Sequence, residues 1–421
     1  MKRARVFKVF AVVLFDLEPA KMFRPAARIA TLPKPATIAM AAKARELRAA
    51  GANVISLALG QPDFASPAVA VEAAYAAGLA GDTGYPPIPG QKALIEAIQA
   101  KLLRDNGVTA TASQIMVANG GKQVIFNAFM ATIDDGDEVV VPAPYWVSYP
   151  LIAQMFGGRS VEVPCREEDG FRPDPEDIRV AITPKTRWLV LNFPNNPSGA
   201  ILERADLEAL AEVLRDAPHV MVMCDEIYEH LTFDGRQHVS LLSVAPDLAD
   251  RVLVVNGVAK AYAMTGWRVG FACGPAPLIA AMIAVQGNAT SGVCTLAQAG
   301  AVAALNDGGD GIALMRETYE RRRNKVVAAL RTIPGLSCAM PQGAFYAYPG
   351  IAALLGGTSG QGRVLSHDVA FAEALLEESH VATVPGAAFG LGSHLRLSFA
   401  ASDEDLAEAC RRIEAFVRAI R

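Results

Sequence analysis

The stretch WLVLNFPNNPSGAILERADLEALAEVLRDAPHVMVMC, residues 188–224, decides the fold class. It opens on an apolar run at 188–193, passes through a helix-like window at 204–215, and returns to an apolar run at 220–224. Apolar runs this short and this continuous suit strands covered on both faces, since neither face then meets water. Outward from this stretch the same alternation continues. Further runs stand at 115–118, 138–141, 160–163, 252–255 and 269–273, with another helical window at 122–132. Strands and helices alternating along one chain predict an α/β layered domain: a mostly parallel, seven-stranded sheet flanked by helices.

The two ends follow a different pattern. Residues 37–50 form a helix stopped by Gly51, and a long charged helix is expected at 316–330. Short strands follow around 345–348, 382–384 and 395–399, with a glycine-rich loop at 356–362. In the last helix Ser402 and Asp405 resemble a capping box, and Leu406, Cys410, Ile413, Val417 and Ile420 recur at spacings of three and four. We therefore expect residues 61–305 to form the large domain, and 36–60 with 306–421 to form a smaller α+β domain. Residues 1–35 form an N-terminal extension, basic over 1–8 and apolar over 9–15. No cleavage-like site follows it, and the apolar run is too short to span a bilayer. It is expected to be disordered or mis-assigned, with Met22 as an alternative start.

Composition narrows the function. With 421 residues, 52% of them hydrophobic, the chain can bury a large core, which excludes global disorder. The 39 basic and 43 acidic residues leave a net charge of −4, no footprint for nucleic acid or for an anionic membrane. Small molecules are the expected partners. The six cysteines are scattered, without a C-x-x-C pair, so neither a disulfide framework nor a zinc cluster is expected. A reducing, cytoplasmic setting with buried thiols follows, and with no H-E-x-x-H no metal site is assigned.

The chemistry-bearing residues stand at the ends of these runs. Lys260 follows a buried strand among small residues, where desolvation lowers an amine's pKa and makes it nucleophilic. Arg268, eight residues on, is placed to neutralise an anion. Asp225 ends the run 220–224, where open α/β sheets place ligand contacts, and Tyr228 follows three residues later. Asn196 ends the run 188–193, and Gly120-Gly121-Lys122 lies between a strand and a helix, a setting for a phosphate cradle.

Taken singly, each of these residues has an ordinary structural explanation; together, in this order, they resemble a known family. The motifs Ala259-Lys-Ala-Tyr-Ala-Met-Thr-Gly-Trp-Arg268, Asn195-Asn-Pro-Ser-Gly199, Asp225-Glu-Ile-Tyr228, Pro144-Tyr-Trp-Val-Ser-Tyr149 and Gly60-Gln-Pro-Asp-Phe64 are similar to those of fold-type I, class I aminotransferases dependent on pyridoxal 5'-phosphate. The bacterial aspartate aminotransferase branch, some of whose members also transaminate prephenate, looks nearest. The resemblance runs from about Ala36 to the C-terminus. It implies that Lys260 binds the cofactor covalently and later shuttles a proton, while Asp225 pairs with the ring nitrogen. Tyr228 and Asn196 would hydrogen-bond the ring's phenolic oxygen and Trp146 would stack on its face. Gly120, Gly121, Lys122 and Arg268 would surround the phosphate, with Tyr85 reaching the phosphate of a neighbouring subunit in a homodimer. Arg396 would fork the substrate α-carboxylate, backed by the Gly60 N–H, with Trp146 and Asn196 bordering the same substrate. Lys122 would read a distal carboxylate, with Lys34 as a second candidate.

Two departures from the family pattern bear on substrate choice: Gln61 stands where relatives usually carry glutamate, and Leu32-Pro-Lys-Pro-Ala-Thr37 shifts a basic residue by one. The leading expectation is a dicarboxylate transaminase acting on aspartate and 2-oxoglutarate, with prephenate as a further acceptor. The alternatives are transamination of aromatic or neutral amino acids, supported by the apolar run at 38–40, and a lyase reaction on the same fold. A non-catalytic ligand sensor is disfavoured by the complete catalytic set.

Overall fold

The computed structural model describes residues 25–30, 32 and 36–421; expectations falling on 1–24 and 33–35, Lys34 among them, lie outside the described residues. Its strands are β1 (Ile55–Ser56), β2 (Ile115–Ala118), β3 (Glu138–Ala143), β4 (Arg159–Pro164), β5 (Thr186–Asn192), β6 (Met221–Asp225), β7 (Val252–Gly257), β8 (Gly270–Cys273), β9 (Tyr346–Ala347), β10 (Val381–Ala382), β11 (Val384–Pro385) and β12 (Leu395–Ser398).

Each of the seven apolar runs is a strand, and the seven form one sheet in the order β2-β8-β7-β6-β5-β3-β4. Pairing is parallel from β7 to β4, while β8 runs antiparallel to both its neighbours. Strand β5 explains the continuous apolar signal. It sends Trp188 and Val190 into one core, with Phe129 and Met282, and Leu189 and Leu191 into the other, with Leu207 and Leu210. Successive side chains alternate faces, so both faces demand apolar residues. The helix Arg204–Arg215 closes the second face, and Gly121–Thr132 with Ala276–Ala289 closes the first.

The chain's two ends build the smaller sheets. Strand β1 pairs with β10 in parallel, and β11, β12 and β9 form an antiparallel sheet. The strand expected at 382–384 is therefore two strands in two sheets. The segment changes partners at Thr383, because β10 meets Ile55 and Ser56 whereas β11 meets Leu395 and Arg396. The C-terminal helix is Asp403–Arg418, with the Ser402 hydroxyl accepting from the Asp405 N–H at 3.1 Å. Ile420 lies beyond its last turn, so it extends the apolar stripe in sequence only. Five cysteines are buried as expected, but Cys294 is exposed, because it sits at the start of the helix Thr295–Asp307 rather than inside it. Among the described residues no helix is long and apolar enough to cross a membrane.

Candidate active site

Parallel strands leave their C-terminal ends open, and the helices that follow set their N-termini there. Four elements converge on a cavity of about 540 Å³. It is lined by the end of β5 (Asn192, Asn196), the end of β6 (Asp225, Tyr228), the segment after β7 (Lys260, Arg268) and the start of the helix after β2 (Gly121, Lys122). Trp146 and Tyr149 add an aromatic wall, and Gly60, Tyr346 and Arg396 come from the chain's two ends. Of the predicted site residues, Gly120 stands behind Arg268, where any Cβ would lie 2.4 Å from the guanidinium. Tyr85 is 98% exposed and does not line the cavity of its own chain.

The turn after β6 explains how two chemical groups face the cavity. Asp225 and Tyr228 line it, while Glu226 and Glu229 between and after them tie the turn back into the core. Glu226 accepts from Ser240 at 2.8 Å and pairs with His238 at 3.3 Å. Glu229 is gripped by Lys101 and by the amides of Asn106 and Asn256, each at 2.8 Å. Burial opposes its ionisation, but Lys101, His230 and His238 together hold it well below the usual carboxylate range. Glu226, Glu229 and His238 each bring a potential ligand atom within 4.8 Å of the others. With Lys101 already matching Glu229, this arrangement is a closed ion-pair network.

Lys260 is partly buried, and its Nζ donates to the Gly60 carbonyl at 2.5 Å. Burial first, and then the Arg396 charge, lower its pKa to about 8, against the opposing pull of Asp225. Asp225 moves the other way: burial raises its carboxyl to about 6, although Tyr149 donates to it at 2.6 Å and the Ile227 N–H at 3.3 Å. A buried acid and a partly buried amine in one cavity, both shifted toward neutrality, mark a reactive site. Lys122 lies 4.9 Å over the Trp146 ring, its pKa lowered by partial burial and by Arg268.

Arg396 is 3% exposed and sits over the rings of Tyr346 and Phe389. It donates to Asn196 Oδ1 at 3.0 Å and to the Ala58 carbonyl at 2.6 Å, yet its Nε finds no partner among the described residues. A buried guanidinium with donors left over calls for an anion. Gly60 is glycine because a Cβ there would meet the Tyr346 hydroxyl at 2.5 Å. The carbonyl of Gly60, not its N–H, is the group engaged in this structure. Arg268 holds a left-handed φ of 57° and donates to the carbonyls of Thr265 and Asn119. Backbone strain of that kind persists where the surroundings over-determine it, as at a ligand clamp.

Sequence reasoning missed three contributors. Tyr149 ends the motif Pro144–Tyr149 without a role assigned to it there; its hydroxyl, donating to Asp225, makes it part of the site. Tyr346, whose hydroxyl stands 2.9 Å from that of Tyr228, gave no local signal. Asn192 orients its neighbours, accepting from the Asn196 N–H at 3.1 Å and donating to the Asp225 carbonyl at 3.0 Å.

The sequence profile described as aminotransferase class I and II matches residues 52–413. The chain belongs to this aminotransferase family. An aspartate/prephenate aminotransferase of Cereibacter sphaeroides is 48% identical, over 90% of this chain and 95% of its own length. An aspartate aminotransferase of Rhizobium meliloti is 44% identical, over 93% and 96% respectively. The crystal structure of the Rhizobium meliloti aspartate aminotransferase superimposes with a TM-score of 0.92, covering 95% of this chain and all (100%) of that one, at 44% identity. The Thermus thermophilus aspartate aminotransferase with maleate does so at 0.87 and 41% identity, covering 94% of this chain and 100% of that chain. These likenesses bear out the family and the fold class read from the sequence, and with them the enzyme class: the chain is an aminotransferase of fold-type I architecture.

Proposed function

We propose that this aminotransferase uses pyridoxal 5'-phosphate to move an amino group between aspartate or glutamate and the corresponding 2-oxo acids, with prephenate as a further amino acceptor. The observation that carries the proposal is one cavity holding a desolvated amine, a buried carboxylate and separate cations for two carboxylates, Arg396 and Lys122. The name of the Cereibacter sphaeroides relative and the maleate in the Thermus thermophilus structure support the dicarboxylate part.

The residues present suit the cofactor. Asp225 would hold the proton on its ring nitrogen, Tyr228 and the Nδ2 donor of Asn196 would meet its ring oxygen, and Trp146 would cover one face. Its phosphate would sit at the N-terminus of the helix Gly121–Thr132 beside Gly120, Lys122 and Arg268, where free N–H groups and the helix dipole favour anions. When bound, the cofactor supplies an electron sink for the carbanion formed at the amino acid's α-carbon. The chain's own groups do the rest. Arg396 fixes the α-carboxylate, Lys122 draws in the distal one, and Lys260 Nζ takes the α-proton as general base. Its depressed pKa keeps a working fraction unprotonated near neutrality. Residues 61–305 would form the cofactor-binding domain and the two chain ends the small domain. Buried, unpaired cysteines favour the cytoplasm.

Replacing Lys122 with alanine is expected to lower kcat/KM for aspartate by about ten- to a hundred-fold, the loss of a charged hydrogen bond, and for phenylalanine far less. Cofactor saturation must be checked on the same variant. An equal loss on both substrates at full saturation would remove Lys122 from distal-carboxylate recognition.

The exposed Tyr85 supports a homodimer with shared sites. Mixing inactive Lys260→Ala chains with Tyr85→Phe chains should restore activity through heterodimers that keep one site free of both changes. No recovery on mixing, or full activity in a sedimenting monomer, would rule sharing out.

A further inference from the structure

The cavity holds one cation more than the proposed reaction employs. Among the described residues five positively charged side chains line it, Arg45, Lys122, Lys260, Arg268 and Arg396, against the single carboxylate of Asp225. Four of them are engaged by the surrounding structure. Lys260 meets the Gly60 carbonyl, Arg268 two carbonyls, Arg396 Asn196 and Ala58, and Lys122 lies over Trp146. Arg45 forms no hydrogen bond or ion pair among the described residues.

The helix Ala36–Ala49 places Arg45 one turn after Ala41, and both line the cavity. The acids nearby are not available to it. Glu377 is taken by Lys43 and Arg363, Glu46 is the next residue along the helix, a spacing at which side chains do not face each other, and Gln61 on the same wall is neutral. This helix packs on β10 and β11, so Arg45 is carried by the assembly of chain ends, whereas Lys122 opens a helix of the large sheet.

We propose that Arg45 is a second distal-carboxylate residue. Together with Lys122 it holds the far carboxylate of a dicarboxylate substrate between the two assemblies, and so sets the preference for dicarboxylates over neutral amino acids. This rests on the dicarboxylate reading above. An arginine fork adds directional, two-point binding to the point charge of a lysine. Because Arg45 is exposed, its contribution is screened by salt and moderate in size.

The test uses the holoenzyme and two non-reacting probes, glutarate with two carboxylates and hydrocinnamate with one, titrated against the cofactor's visible absorbance. Arg45→Ala is expected to weaken glutarate binding by about three- to thirty-fold and to lower kcat/KM for glutamate in step. Hydrocinnamate affinity, phenylalanine turnover and the thermal midpoint should stay put. Arg45→Lys should retain most of the glutarate affinity, and added salt should erode the preference faster in the wild type than in Arg45→Ala. If the wild type binds glutarate no better than hydrocinnamate, the dicarboxylate reading fails and this proposal falls with it. If glutarate is preferred, but Arg45→Ala leaves the preference unchanged or weakens both probes alike, only the role of Arg45 is overturned.

Discussion

Lys260→Ala is expected to lower kcat by at least about 10⁴-fold, since it removes both the group that would hold the cofactor covalently and the general base. The fold should survive. Among the described residues Lys260 makes one hydrogen bond, to Gly60, and its charged form is disfavoured by desolvation, so truncation relieves a desolvated charge while opening a small void. Cofactor should still bind, held at its phosphate and ring by Arg268, Asp225 and Tyr228 without a covalent link. Borohydride reduction of the wild type followed by peptide mapping should label Lys260. Label on any other lysine would refute the assignment.

Asp225→Asn should split activity from stability. The carboxylate is the one negative group among the described residues of a cavity lined by cations, and its loss should reduce kcat by about 10³-fold, as for other buried charges aimed at a reacting system. Without cofactor the sign reverses. Burial raises the folded-state pKa of Asp225 to about 6, above the ordinary value of 3.8. A raised acid binds its proton more tightly folded than unfolded, so ionisation destabilises the fold. The penalty is absent below the unfolded pKa, grows as pH rises through the folded one, and is complete above it. A shift of about two units corresponds to roughly 2–3 kcal/mol. Asparagine stays neutral and can still accept from Tyr149, so the apo variant should melt above the apo wild type at pH near 7.5, with the gap closing near pH 4. An apo wild type that is the more stable of the two at the higher pH would show that the buried charge is compensated within the chain.

What was legible in the sequence was local. The seven strands of the large sheet declared themselves because each is sandwiched between helix layers, so its apolar demand is met within a few consecutive residues, as β5 shows with Trp188 to Leu191. Lys260, Asp225, Asn196 and Arg268 were legible because strand ends are where such a sheet exposes its ligand face, and the motifs around them are contiguous.

How distant segments meet is a matter of three-dimensional packing. The Tyr149 hydroxyl reaches Asp225 across 76 residues, Tyr228 meets Tyr346 across 118, and Arg396 reaches Asn196 across 200. No local periodicity encodes such contacts, since they depend on strand order and on the pairing of β1 with β10, which brings the two ends of the chain together. The motif in the sequence gives Gly60 a role for its N–H; only the Tyr346 hydroxyl against it shows why a side chain is excluded there. Arg45 reads as one more charge on a solvated helix face, and only the cavity shows that this face looks onto the site. Local sequence marks the groups at the strand ends, because backbone hydrogen bonding and burial set those ends residue by residue, but it leaves out Tyr149, Tyr346 and Asn192. Their distances, pKa shifts and unmatched charges were decided by packing, because electrostatics in a desolvated cavity depends on every wall at once.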